Sequence, residues 1–374
     1  MLTASQFDLL TQSILDLYEA YNQSVINDIA RRLVKMNFVT PTAAWQMQRL
    51  VESGMVYNDA LERISELTGM SLAELRKAFT EAGVKTLAFD DRIYKLAGLN
   101  PAPISLSPAM QNVLLKGLEK TFGVIRNMTM TTAINAEHQF VDALDLAYMQ
   151  VSSGAMGYDQ AIKSAVKNVA SGGLRVIDYA SGHHDQLDVA VRRAVLTGVA
   201  QTTGEIQHAR ANEVGQDLVQ TSAHIGSRPT HEVWQGKVFS LHGNTPGYPS
   251  FTETGYGKID GLCGINCRHS FYPFFEGISE KAYTEATLDE YADTRVKYNG
   301  KEYSVYDANQ IQRRIERDIR KTKREAGALA AGGLDNVDES KKIANLQMQM
   351  RDFIRQTHLD RQPPREGGRV QAKV

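Results

Sequence analysis

Apolar side chains recur at every third or fourth position over the first 37 residues: Phe7, Leu10, Ile14, Leu17, Tyr21, Val25, Ile29 and Leu33. That spacing predicts an amphipathic helix that buries one face. The helical pattern continues to about residue 220, with little of the period-two alternation that marks strands. "TPTAAWQMQRLVESG", "NDALERISELTG" and "MSLAELRKAFTEAG" each begin on a capping Thr, Asn58 or Ser and stop at a glycine, which predicts short helices joined by tight turns. "NPAPISLSP", residues 100–108, carries three prolines and marks a boundary. Residues 109–170 predict one or two long helices interrupted at "SSGAMG" and closed by "SGG" at 171–173. Another helix is expected from near His184 through "VGQDLVQ", residues 214–220.

At about residue 222 glycine, proline, aromatics and histidine replace the helical period. "KVFSL" and "CRHSFYPF" read as short strands, the second ending at Pro273, and 222–283 reads as a small α+β module. Helix resumes with Ile311, Ile315 and Ile319 four apart. Residues 307–324 hold seven Lys or Arg against three Asp or Glu, so the other faces of this helix are basic. A glycine-rich break around 327–333 precedes a last helix with Ile343, Leu346, Met350 and Phe353 on one stripe. The tail, 361–374, has too few apolar residues to fold and is expected to be disordered.

The fold class this predicts is mainly α with a small α+β module: an elongated helical N-terminal half, a compact Cys- and aromatic-rich module, and a helical basic C-terminus. The segments are a helical N-terminal region at 1–100, a long-helix region at 101–221, the module at 222–283, a C-terminal helical region at 284–360 and the basic tail.

Composition adds bounds. With 374 residues, 42% hydrophobic and 23% charged, the chain can bury a sizeable core. No apolar run nears the roughly 20 residues that span a bilayer, and the first residues carry acids without a basic region, so neither a membrane partner nor an export signal is expected. Two cysteines fit a protein made in a reducing cytoplasm rather than a disulfide framework.

Candidate chemistry concentrates in "GLCGINCRHSFYPFFEG", residues 261–277. Cys263, Cys267 and His269, joined by His231 or His242, have the donor types that zinc takes. Three residues between the cysteines, with no second pair, is a poor match to common zinc spacings, and small buried residues are the competing reading. Cys267 as a nucleophile beside His231 and Asp260 or Asn266 lacks any supporting signature. A metal-free phosphodiester site built from Arg228, His231, Lys237, Arg268 and His269, with His231 and His269 as base and acid, is the enzymatic alternative. Against it, the same residues around Trp234 serve to satisfy polar groups in a small module. "GHHD" at 182–185 reads as an exposed helix start rather than a metal pair, and "GLCGIN" lacks the lysine of a phosphate loop.

Arg313, Arg314, Arg317, Arg320, Lys321, Lys323 and Arg324 are candidates for DNA phosphate contact. The competing reading is a solvated face with pairs such as Glu316 with Arg320 and Asp318 with Lys321. In the 261–277 stretch itself, Gly261 and Gly264 suit tight turns. Arg268 can brace carbonyls or carboxylates, and Phe271, Tyr272, Phe274 and Phe275 can anchor the module.

"TSAHIGSRPTHEVWQGKVFSL" followed by "GYGKIDGLCGINCRHSFYPFFEGIS" closely resembles the phage minor capsid protein 2 family of tailed phages and prophages. More distantly it resembles the head-morphogenesis domain of Mu-type minor head proteins. The residues that carry the likeness are Arg228, His231, Trp234, Gly236, Lys237, Gly261, Cys263, Cys267, Arg268 and His269. Distant relatives often have a second cysteine after the arginine; here His269 stands nearby and the extra cysteine lies upstream at 263. The resemblance implies a structural, non-enzymatic, low-copy head protein in the virion, in the capsid interior or at the connector. Its implied partners are the portal and other capsid proteins, with packaged DNA as a further contact. Its roles would be head assembly, DNA packaging or DNA delivery, after synthesis in the bacterial cytoplasm. It implies no cofactor; structural zinc is the one chemical option left open by the residues.

Overall fold

The computed structural model describes residues 4–36, 43–178 and 184–367. Its helices are α1 (Ala4–Lys35), α2 (Ala43–Leu96), α3 (Pro108–Ser152), α4 (Tyr158–Gly172), α5 (Leu187–Val214), the one-turn α6 (Pro229–Glu232), α7 (Glu285–Asp293), α8 (Val305–Ala331) and α9 (Val337–Thr357). Short strands pair antiparallel. β1 (Arg175–Asp178) joins β2 (His184–Gln186), and β3 (Leu218–Thr221) lies between β4 (Val238–Ser240) and β5 (Phe271–Pro273). β6 (Arg295–Tyr298) pairs with β7 (Lys301–Ser304). The chain is mainly α with a small α+β module, as its patterning predicts.

The short helices expected before residue 100 are one helix. α2 runs unbroken for 54 residues through Gly54, Gly69 and Gly83, and Asn58 lies in its interior rather than at a cap. An interior glycine costs roughly 1 kcal/mol relative to alanine. The buried stripe keeps its phase across all three: Trp45, Ser53, Val56, Ala60, Ile64, Leu67, Leu75, Phe79, Ala82, Leu87 and Tyr94 are buried. Burying each large member contributes about 1.5–3 kcal/mol, so packing outweighs propensity. The Thr caps expected for "TPTAAW" lie outside the described residues. The proline boundary at 100–108 does separate α2 from α3, with Ser107 Oγ accepting from Met110 N at the start of α3.

Three further expectations change. The helix expected to run to 220 ends at Val214; Gly215 adopts φ 70° and residues 218–221 become β3, the central strand of the module's sheet, just before the boundary at 222. The region 284–360, expected to be helical, carries the β6–β7 hairpin between α7 and α8, closed by Asn299 and Gly300 at φ 50° and 75°. That pair has the positive φ values of a two-residue type I′ turn. In the tail, Pro363–Glu366 forms a 3₁₀ turn in which Arg361 grips the buried Glu366 carboxylate through two 2.7 Å hydrogen bonds. Residues 368–374 lie outside the described residues, as do Gly182 and His183 of "GHHD"; His184 opens β2 rather than a helix.

The chain forms two compact units that interleave in sequence, one drawn from the ranges 1–13, 72–123 and 192–310 and the other from 14–71, 124–191 and 311–374. In the first, Leu87, Met110 and Ile206 form a core where the later part of α2, the start of α3 and α5 meet. α3 and α5 pack backbone-close there. A Cβ on Gly117 would sit 2.0 Å from Thr202 Oγ1, and one on Gly198 would sit 2.1 Å from Thr121 Oγ1. Each helix thus offers a glycine to the other's threonine.

In the second unit Ile14, Tyr18, Tyr21, Val25, Ile29 and Leu33 bury one face of α1. Arg32, almost fully buried on that helix, reaches three carboxylates: Asp28 at 2.7 Å, and Glu52 and Asp59 on α2 at 2.6 Å each. Arg324 of α8 donates to the Ala170 and Ser171 carbonyls and so satisfies acceptors left over at the end of α4.

Candidate functional site

The site grows from the sheet β4–β3–β5 in the first unit. Gln220 on the central strand donates from Nε2 to the Gly236 carbonyl at 2.9 Å, and its Oε1 accepts the Tyr272 hydroxyl of β5 at 3.0 Å. Thr221 Oγ1 donates to the Trp234 carbonyl at 2.9 Å. These bonds fix the segment "SRPTHEVWQGK" against the strand. Pro229 opens α6 at its first turn, where its missing N–H costs nothing, and the turn delivers His231 inward.

The second half of the motif is a run of tight turns. Cys263 and Asn266 adopt φ 59° and 58°. A Cβ on Gly261 would lie 2.0 Å from the Gly255 carbonyl oxygen, so no larger residue fits that crossing. Arg228 Nη2 donates to the Ile265 carbonyl at 3.2 Å and ties the two halves together. Arg268 makes a two-pronged bond to Asp8 of α1, at 2.8 and 3.0 Å. The aromatics anchor the module as expected from their type. Phe271 packs edge-on against Phe251 at 4.9 Å, Tyr272 against Phe89 at 5.7 Å and Phe275 against Tyr94 at 5.9 Å, while Phe274 joins Leu218 and Val238.

His231, Cys267 and His269 converge: all three are buried, and one ligand atom from each lies within 4.8 Å of the other two. His231 Nδ1 stands 3.4 Å from His269 Nδ1, and Cys267 Sγ 3.7 Å from His269 Nδ1. Trp234 walls the pair, its ring 4.6 Å from His231 and 4.8 Å from His269. Burial pushes both imidazoles' pKa values down, His269 furthest, with His224 and Arg228 adding positive potential. Burial pushes the Cys267 thiol up.

The other sequence candidates are not among these three donors; Cys263 borders them, its Sγ 3.9 Å from the His269 carbonyl oxygen, as is that of Cys267. Cys263 is a free, buried thiol whose Sγ sits where a Cβ on Gly204 of α5 would meet it, at 3.2 Å, and whose pKa burial pushes well up. His242 turns to Asp217 Oδ1 at 2.8 Å and Asn212 Oδ1 at 3.0 Å, so both ring nitrogens face oxygen acceptors. Lys237 is exposed and contributes its backbone carbonyl, which accepts from Thr221 N at 3.0 Å. With His231 at 2% and His269 at 1% exposure, neither imidazole of the enzymatic alternative meets a phosphodiester while the module is closed.

Sequence reasoning missed Gln235 and His224. Gln235 Oε1 accepts from His269 Nε2 at 3.1 Å and from the His224 backbone at 3.2 Å, and His224 stacks on His269 at 4.3 Å. Both residues stand inside the motif already quoted, but their role needs the fold of α6. It also missed Asp217, just ahead of the central strand. Burial raises the pKa of that carboxyl, yet bonds from Ser240, Thr245 and His242 outweigh this and hold it well below the usual range.

The basic helix divides. Arg320 reaches Asp188 at 3.1 Å, Lys323 Nζ the Gly367 carbonyl at 2.9 Å, and Arg324 is buried, so three of the seven cations serve the interior of the second unit. Arg314, Arg317 and Lys321 are exposed and Arg313 is half-buried; Lys321 lies 4.0 Å from Glu325.

The family model for phage minor capsid protein 2 matches residues 2–355. The chain belongs to the phage minor capsid protein 2 family. It is 24% identical over 338 residues to a structural protein of Lactococcus phage LL-H, covering 86% of this chain and 88% of that protein. It is 32% identical over 124 residues to a structural protein of Lactococcus phage mv4, covering 32% of this chain and 92% of that protein. No solved structure matches it. Membership in this minor capsid family implies a structural place in the virion among other phage structural proteins. Among the described residues no helix is long and apolar enough to cross a membrane.

Proposed function

We propose that this chain is a low-copy structural protein of a tailed-phage head, docked on the portal or connector, where it supports head assembly and the packaging or delivery of DNA. The observation that carries the reading is the family match over residues 2–355, nearly the whole chain. Two surface features support it. Met47, Leu50, Val51 and Met55 are exposed at 44–68% on one face of α2, spaced as i, i+3, i+4 and i+8, and such an apolar row suits a protein partner. Arg314, Arg317 and Lys321 give α8 an exposed cationic row suited to DNA phosphates.

Cross-linking mass spectrometry on purified heads tests the docking. Cross-links from this chain concentrated on the portal or connector are expected. Cross-links confined to the major shell protein, with the portal equally detectable, would overturn the portal assignment.

A further inference from the structure

His231, His269 and Cys267 hold more than a packing pattern, because their hydrogen bonds fix where the protons sit. His231 Nε2 faces the Asp260 carbonyl oxygen at 2.8 Å. A carbonyl only accepts, so Nε2 carries the proton and Nδ1 presents its lone pair. His269 Nε2 faces Gln235 Oε1 at 3.1 Å, and that atom also accepts the His224 backbone N–H at 3.2 Å, which identifies it as the amide oxygen. His269 therefore also has its proton on Nε2 and its lone pair on Nδ1. The 3.4 Å contact between the two Nδ1 atoms is lone pair against lone pair, in a buried site, with the Cys267 sulfur beside it. The Cys267 S–H reaches one of these lone pairs, on His269 at 3.7 Å, but it is a weak donor with one proton for two lone pairs, so without a cation the His231–His269 contact stays repulsive.

Two of the three donor separations match a coordination sphere, and the His231–Cys267 edge lies within 4.8 Å. With metal bonds of about 2.0–2.1 Å to nitrogen and about 2.3 Å to sulfur, a tetrahedral zinc site has an N···N edge of roughly 3.4 Å and an N···S edge of roughly 3.6 Å. The corresponding separations here are 3.4 and 3.7 Å. Each imidazole also donates its far N–H to an oxygen, the outer-shell arrangement that orients metal-bound histidines.

We infer that His231 Nδ1, His269 Nδ1 and Cys267 Sγ form a structural site for a zinc-class divalent cation that pins the α6 turn to the 261–269 loop. Binding replaces the Cys267 thiol proton with the metal and releases that proton to solvent. A fourth donor, water or protein, completes the sphere. Cys263 and His242 are not ligands.

The test uses the full chain, stripped of metal and titrated with cobalt(II). One equivalent is expected to bind with tetrahedral d–d absorption and a thiolate-to-cobalt charge-transfer band, and zinc should displace it. Cys263→Ser should keep the charge-transfer band; Cys267→Ser should lose it and bind at least tenfold more weakly. Should Cys267→Ser fail to fold, X-ray absorption on the zinc-loaded wild type decides, with one sulfur and two imidazole nitrogens expected. Absence of stoichiometric cobalt binding, a charge-transfer band that survives Cys267→Ser but not Cys263→Ser, or a sulfur-free first shell would each overturn the site.

Discussion

Asp90 carries an ionisable group into the interior of the first unit. Its exposure is 1%, Gln207 Nε2 donates to it at 2.9 Å, and burial raises its pKa to about 7. An unfolded aspartate titrates near 4, so between about pH 4 and about pH 7 the folded state binds more protons than the unfolded one. Stability therefore falls as pH rises through that window and levels off above it, by up to about 4 kcal/mol from this group. Asp90→Asn should flatten that part of the profile, with urea midpoints at pH 5 and pH 8 closer together than in wild type. An unchanged difference would mean that Asp90 is charged in the folded protein. Gly261→Ala belongs to the same scale: its methyl would strike the Gly255 carbonyl, and a cost of about 1–3 kcal/mol in denaturant titration is expected. Much of the candidate site was legible as residue types, since His231, Cys267 and His269 were singled out by chemistry alone. Which of the five candidates converge was not, because Cys263 and Cys267 differ only in the direction that the positive-φ turns at Cys263 and Asn266 give each thiol.

At the scale of elements, glycine misled the reading of α2 and informed nothing about α3 and α5. The phase of the buried stripe through Gly54 and Gly69 is visible in the sequence and outweighs two interior glycines, around which the space is open. The reciprocal contacts of Gly117 with Thr202 and Gly198 with Thr121 are not visible there, because they depend on two helices meeting in register. They carry a prediction. Gly198→Ala should destabilise the protein by about 1–3 kcal/mol, and Thr121→Ala added to it should recover much of the loss, as a double-mutant cycle would measure. Additive losses would show that the helices do not pack through this pair. The β6–β7 hairpin was legible in principle, from "YNGK" flanked by alternating residues. β3 was not: "LVQT" follows a helix with no break but Gly215, and its strand character comes from pairing with β4 and β5 on both sides.

At the scale of the molecule, the basic count in 307–324 overstated the surface charge. Arg320, Lys323 and Arg324 are spent on Asp188, the turn after α9 and the end of α4. If α8 meets packaged DNA, it does so through Arg314, Arg317 and Lys321. Reversing those three to Glu should weaken DNA binding and reduce the magnitude of the salt slope by about three. Arg320 cannot serve as the neutral control, because its loss would remove the nearer of the two guanidiniums at Asp188, Arg320 at 3.1 Å and Arg324 at 3.7 Å. The mainly α class and the membership of a phage head family were both readable before any coordinates, the first from period and the second from two motifs in order. The most direct test of the account is quantitative mass spectrometry of purified heads from a phage that carries this gene. A fixed, low copy number per particle, far below that of the major shell protein, is predicted; its absence from heads, with the chain recovered only from the host lysate, would contradict a structural role in the virion.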